Sequence, residues 1–168
     1  IAVSRGLGDV YKRQGMDVIK LEGGLRVIPM IEAIVQAGIP VMGHIGLTPQ
    51  TISQLGGFRV QGKNPPEIER LMDDALALEA AGCFSIVLEA IPDRVARLIT
   101  EKVSIPTIGI GAGPFCDGQV LVLHDMVGLF DRFVPKFAKQ YTDVHTPMLT
   151  ALRTFKTEVE EGLFPASE

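Results

Sequence analysis

Three short apolar runs in this chain each end in an ionisable side chain. Ile86-Val87-Leu88 stops at Glu89, Ile39 to Met42 is followed by Gly43 and His44, and Met16 to Leu21 carries Lys20 and is closed by Glu22. Runs of this length read as buried strands. Lys20 and Glu22 are two apart, so on a strand both point to one side, which in a barrel is the lumen. The plain reading of that pair is a lumen salt bridge. Glu89 sits where burial can tune a carboxylate for general-base work; the alternative is a bond to a neighbouring loop. His44 reads as a ligand contact, as a partner that orients Glu89, or as a satisfied core histidine. Its neighbours Gly43 and Gly46 would let a ligand approach the backbone, and Thr48-Pro49 reads as an N-cap followed by proline at the first helical position. A strand that ends on a polar group and turns into a helix is where α/β proteins bind ligands.

Other candidates are weaker. His124-Asp125 ends a fifth apolar run and reads as structural. Gly109, Gly111 and Gly113 would shape an anion pocket or, more plainly, allow tight turning. Cys83 reads as a small buried residue and Cys116 as a loop thiol, since no His/Asp constellation surrounds either.

The elements that must position these groups follow from spacing. The expected strands are Met16 to Leu21, Ile39 to Met42, Phe84 to Leu88, Thr107 to Ile110 and Val120 to Leu123. Helices are expected over Leu25 to Ala37, from Asn64-Pro65 to Gly82, from Pro92 toward Lys102, and over Met148 to Glu161 after a Thr146-Pro147 cap. Near-continuous apolar strands alternating with helices imply a parallel sheet covered by helices. No early Gly-rich dinucleotide fingerprint supports a doubly wound sheet. A barrel of the (β/α)8 type takes roughly 250 residues, so the chain reads as an incomplete barrel of about five βα units, lacking about three. Residues 15–168 form that part of one domain. Ile1 to Gln14 carries neither helical stripe nor strand alternation and reads as unrelated sequence.

Bulk properties exclude several classes. The chain has 168 residues, 46 % hydrophobic, with a formal net charge of -4 and two cysteines. No apolar stretch approaches the roughly 18 residues of a membrane span, and Ile1 to Gln14 lacks the pattern of a secretory signal. Two cysteines make no disulfide framework, so a cytoplasmic setting is expected. Mild acidity without Lys/Arg clusters excludes nucleic acid as a partner.

From about Gly15 onward the sequence resembles the ketopantoate hydroxymethyltransferase family. The resemblance is carried by Val18-Ile19-Lys20-Leu21-Glu22-Gly23-Gly24, by the run from Gly43 to Gln50 (GHIGLTPQ), and by Gly57-Phe58-Arg59-Val60-Gln61-Gly62-Lys63. It continues through residues 74–82 (DALALEAAG), Val87-Leu88-Glu89, residues 108–113 (IGIGAG), residues 117–122 (DGQVLV) and Pro135-Lys136-Phe137-Ala138-Lys139. It implies a (β/α)8 barrel in a homo-oligomer of decamer type. It also implies hydroxymethyl transfer from 5,10-methylenetetrahydrofolate to 3-methyl-2-oxobutanoate in pantothenate biosynthesis, with Mg2+. On this reading Glu89 is the base, Lys20 and His44 bind substrate, and Glu22 stands near the metal through a water. The family's two metal-holding Asp residues and a substrate-contacting Ser lie on strands with no counterpart here, so the chain reads as an inactive fragment. Two other readings stand beside it: a related Mg2+-dependent carbon-carbon lyase of 2-oxo acids, and a barrel fragment without enzymatic activity.

Overall fold

β-Branched and aliphatic residues dominate the longer strand segments, and each of the first three is followed by a helix that packs on the sheet. The computed structural model describes residues 16–49, 60–130 and 134–166. In it β1 (Ile19–Glu22) leads through a 3-10 turn, Leu25–Val27, into α1 (Ile28–Gln36); β2 (Val41–Gly46) precedes α2 (Pro65–Ala80); and β3 (Ser85–Glu89) precedes α3 (Asp93–Lys102). Then come β4 (Thr107–Ile110), the two-residue β5 (Gly118–Gln119), a short α4 (Leu123–Met126) and α5 (His145–Glu160). The five strands form one parallel sheet in the order β1-β2-β3-β4-β5. Consecutive order without reversal is the rule of a (β/α)8 barrel, whereas a doubly wound sheet reverses at a switch point. The fold is therefore α/β, a partial barrel.

The core lies between the sheet and its helices. Val41, Ile45, Ile86 and Leu88 from the strands meet Ile31 of α1, Leu71, Ala75 and Leu78 of α2, and Val95, Ala96 and Ile99 of α3. Each buried Ile or Leu contributes about 1.5–3 kcal/mol. Strand alternation turns His44 and Glu89 to the opposite face from Ile45 and Leu88, so the packing that buries one set aims the other. Cys83 is buried in this core, and burial pushes its thiol up to about 11, which makes it a poor nucleophile.

The start of α2 is fixed by a reciprocal cap. The Glu67 N–H donates to Asn64 Oδ1 at 3.1 Å, Asn64 Nδ2 donates to Glu67 Oε1 at 2.8 Å, and the Lys63 N–H donates to Glu67 Oε2 at 2.8 Å. The Lys63 bond, more than any other contact, holds the Glu67 carboxyl below its ordinary range. Replacing Asn64 by Ala is expected to cost about 1 kcal/mol. The urea midpoint should fall with the slope unchanged, and an unaltered midpoint would show that the cap contributes nothing.

Several boundaries depart from expectation. β2 extends to Gly46, so His44 lies inside the strand rather than beyond it. The fifth strand is Gly118–Gln119, earlier than the expected Val120 to Leu123. Gly118 and Gln119 already pair with Ile108 and Gly109, the Val120 N–H donates to Gly109 O at 3.0 Å, and the chain then leaves the sheet. His124 and Asp125 consequently sit in α4, not at a strand end. The last helix begins at His145, where Asp143 Oδ1 accepts from the Thr146 N–H, and Pro147 is tolerated in the first turn. The Thr48-Pro49 helix start leads into residues 50–59, outside the described residues, and so do the runs at 1–15.

The chain divides into two compact units, Ile1–Val120 and Leu121–Glu168. The second is built on α4 and α5, tied by Tyr141 N–H to Met126 O at 2.8 Å and Val144 N–H to Val127 O at 2.9 Å. Phe155 of α5 meets Phe164 edge-on, with ring centroids 5.5 Å apart. Among the described residues no helix is long and apolar enough to cross a membrane.

Candidate active site

Parallel register brings the ends of three strands to one level. Glu22 of β1 lies opposite His44 of β2, and Gly46 of β2 lies opposite Glu89 of β3. All four residues singled out in the sequence meet here. Lys20 Nζ lies 3.0 Å from His44 Nδ1, and Glu22 Oε1 lies 3.7 Å from both Lys20 Nζ and His44 Nδ1. On the other side of the ring, His44 Nε2 lies 3.0 Å from Glu89 Oε2. The side chains form a file: ammonium, carboxylate and imidazole, then a second carboxylate.

Donor chemistry assigns the imidazole proton. An ammonium only donates, so Nδ1 accepts from Lys20 and the ring hydrogen sits on Nε2. Nε2–H faces Glu89 from 3.0 Å but is not in line with the oxygen. It completes no hydrogen bond and is the single buried side-chain polar atom without one among the described residues. His44 is 2 % exposed, and leaving such a donor unpaired costs about 1–3 kcal/mol. An unpaired buried donor beside a carboxylate, at a strand C-terminal end, suits a ligand oxygen. The Lys20 side chain is 45 % exposed, so its ammonium also reaches solvent and whatever binds there.

Two backbone features hold Glu89 in place. Gly46 has φ +95, and a Cβ at that position would lie 2.2 Å from the Glu89 carbonyl oxygen. The Leu47 N–H donates to that same oxygen at 2.8 Å. The next residue, Ala90, takes the left-handed conformation with φ 49, which costs a non-glycine residue roughly 1–2 kcal/mol. It is kept there by Ala90 N–H to Ile110 O and Gln61 N–H to Ala90 O, both at 2.9 Å. Strain of this kind concentrates at functional sites. Nothing in the sequence announces it, because alanine carries no mark of a positive φ.

A metal finds few donors. Mg2+ takes six oxygens in octahedral array, whereas Glu22 is one carboxylate already facing an ammonium and an imidazole. Among the described residues no group of three or more His, Cys, Asp or Glu side chains is placed to hold a metal ion. The residues present do not make a Mg2+ site by themselves.

The glycines of the 109–113 run serve packing and turning: Gly111 and Gly113 have φ 63 and φ 76, and Gly109 leaves room for Cys116 Sγ and the Gln119 amide. At the other end of β4, the Thr107 N–H and hydroxyl both donate to Asp117 Oδ2, at 2.8 and 3.0 Å, and hold that carboxyl below its ordinary range.

Consecutive parallel strands that gather two carboxylates, an imidazole and an ammonium at their C-terminal ends are the arrangement of the (β/α)8-barrel class. The sequence profile of the ketopantoate hydroxymethyltransferase family matches residues 3–167, and the chain belongs to that family. The match includes residues 3–14, set apart from the family in the sequence reading and outside the described residues. The 3-methyl-2-oxobutanoate hydroxymethyltransferase of Heliobacterium modesticaldum is 56% identical over 164 residues, 98% of this chain and 59% of the relative. That of Moorella thermoacetica is 56% identical over 161 residues, 96% of this chain and 60% of the relative. The chain thus spans about 60% of the length of these curated relatives. Among solved structures, the YdjI aldolase from Escherichia coli K12 is similar with a TM-score of 0.42 and 18% identity, covering 67% of this chain and 47% of that one.

Proposed function

We propose that the complete protein transfers a hydroxymethyl group from 5,10-methylenetetrahydrofolate to 3-methyl-2-oxobutanoate, giving 2-dehydropantoate for pantothenate biosynthesis. The observation that carries the reading is the unpaired His44 Nε2–H, buried 3.0 Å from Glu89, in a chain of this family. Glu89 takes the proton from C3 of the 2-oxo acid, and the C–H electron pair becomes that of the enolate. Water opens the methylene bridge of the folate: its oxygen bonds the one-carbon unit, both C–N bonds break, tetrahydrofolate leaves and a carbonyl carbon at the formaldehyde level remains. The enolate carbon adds to that carbon, and the new alkoxide takes a proton back from Glu89 to become the hydroxymethyl group. Lys20 takes the substrate carboxylate as a point charge. His44 offers Nε2–H to a substrate oxygen beside Glu89.

Mg2+ belongs to the same reading, as a Lewis acid on the 2-oxo acid oxygens. Glu22 would stand near the metal through a water, and the family's two metal-holding Asp residues have no counterpart in this sequence. With Glu22 alone on the metal side, the 168 residues by themselves are expected not to turn over. The same reading makes the complete protein a homo-oligomer of decamer type in a cytoplasmic setting.

Product analysis with and without methylenetetrahydrofolate tests the reaction. 2-Dehydropantoate should form only with the folate present; cleavage of a 2-oxo acid without it would replace transfer by lyase chemistry. Lys20→Ala should raise the substrate KM at least tenfold while moving the melting temperature little, because a half-exposed ion pair contributes about 0–1 kcal/mol. Normal binding with a much lower melting temperature would instead make Lys20 a structural cation.

A further inference from the structure

Two groups of the file, Lys20 and Glu22, stand on β1, the least supported of the three strands that carry it. β1 lies at one edge of the sheet and pairs through Ile19 to Glu22 with β2, its one partner among the described residues. β2 and β3 each pair on both sides. An edge strand leaves half of its backbone groups outside the ladder, so its end needs a further anchor to hold side chains in place. The turn after Glu22 has two. The Gly23 N–H donates to His44 O at 2.9 Å and ties the turn to β2. The Leu25 N–H donates to Asp74 Oδ1 at 2.8 Å and ties it to α2, 49 positions along the chain.

Gly24 lies between these anchors, buried, and a Cβ there would fall 1.8 Å from Asp74 Oδ1 and 1.9 Å from its Cγ. The clamp is thus a close fit that only a residue without a side chain permits. Asp74 is a firm post. It projects from the helix whose Leu71, Ala75 and Leu78 pack into the core, and its charge makes the bond stronger than a neutral acceptor would. Glu89 is anchored separately, through Leu47 N–H to Glu89 O and through the bonds of Ala90 to Ile110 and Gln61. The clamp therefore bears on the cation and not on the base. We infer that Asp74 is a positioning residue for the reaction: through the Leu25 N–H it fixes the end of β1 and sets where Lys20 and Glu22 stand against His44.

The inference rests on the transferase reading for its kinetics, and a second readout is independent of turnover. In the protein extended to its relatives' full length, Asp74→Ala should raise the KM for 3-methyl-2-oxobutanoate in C3 exchange about threefold to tenfold, with kcat within about twofold, because a binding contact is displaced while the proton acceptor stays. A residue that only holds the fold would lower the active fraction, hence kcat, and leave KM alone. Alanine favours the helix at this half-buried position, so the variant should fold. Asp74→Asn keeps an acceptor oxygen and should restore the wild-type KM. Glu79→Ala is the control. Glu79 Oε1 accepts from the Ser104 N–H at 2.7 Å, a like bond from the last turn of α2, and its loss should lower the melting temperature without moving KM. In the 168-residue chain, side-chain nitrogen NMR reads the ring of His44, one of three histidines. Wild type should show Nδ1 as acceptor and Nε2 protonated. Asp74→Ala should mix the two tautomers as Lys20 moves away, and Asp74→Asn should not. A wild-type KM or wild-type ring shifts in the folded Asp74→Ala protein overturn the inference, and so does failure of Asp74→Asn to restore either. A complete protein that exchanges no C3 proton sinks the transferase reading instead, and the ring shifts still decide the clamp.

Discussion

Glu89→Gln is expected to slow hydroxymethyl transfer by about 10² to 10⁴ in kcat, the usual contribution of a positioned base, with the substrate KM changed less than about threefold. The amide keeps the size of the carboxylate at the end of β3, beside the 2 % exposed His44, so packing and substrate contacts survive while the proton acceptor is lost. The assay belongs in a protein that carries this span together with the remaining length of its relatives. A Gln variant with wild-type kcat would return Glu89 to the role of a strand-end residue that bonds its surroundings.

The largest stability effect is expected at Gly46. An alanine there would place Cβ 2.2 Å from the Glu89 carbonyl and 2.9 Å from Ile91 Cγ2, on a backbone with φ +95. The first contact is backbone and cannot swing away, so β2 and β3 must separate where Leu47 N–H bonds Glu89 O. Left-handed strain and overpacking together should cost about 3 kcal/mol or more, a large share of the 5–15 kcal/mol that holds a typical domain. Gly43→Ala is the comparison. Its added Cβ meets Leu78 Cδ1 at 2.8 Å, the far end of a flexible side chain, and should cost about 1 kcal/mol. Urea melts of the two variants read the difference directly. Equal midpoints would show that the Gly46–Glu89 contact relaxes easily and does not fix the base.

Much of this arrangement was legible before any coordinates. Lys20 and Glu22 had to share a face because strand side chains alternate, and His44 and Glu89 end or nearly end apolar runs; parallel register then brings all four together. Asn64-Pro65-Pro66-Glu67 marked the start of α2, and Thr107–Ile110 is a strand over its expected span. Other features carry no local signal. The left-handed Ala90 is imposed by hydrogen bonds from Gln61 and to Ile110, distant in sequence. The Leu25–Asp74 clamp joins residues 49 apart. The apolar Val120 to Leu123 run imitates a buried strand, yet Val120, Val122 and Leu123 are exposed and the ladder ends just before them. Hydrophobic pattern locates strands by their burial, and it fails where partner strands, not burial, decide where pairing stops.

Deuterium exchange at C3 of 3-methyl-2-oxobutanoate, followed by proton NMR without folate, isolates the step assigned to the Lys20–Glu22–His44–Glu89 file. In the protein extended to its relatives' full length, the C3 proton signal should decay with enzyme-dependent first-order kinetics. Glu89→Gln should slow that decay by about 10² or more, and His44→Ala should slow it through loss of the Nε2–H contact. Exchange at the wild-type rate in the Glu89→Gln protein would contradict the account, because the proton would then leave to a base elsewhere.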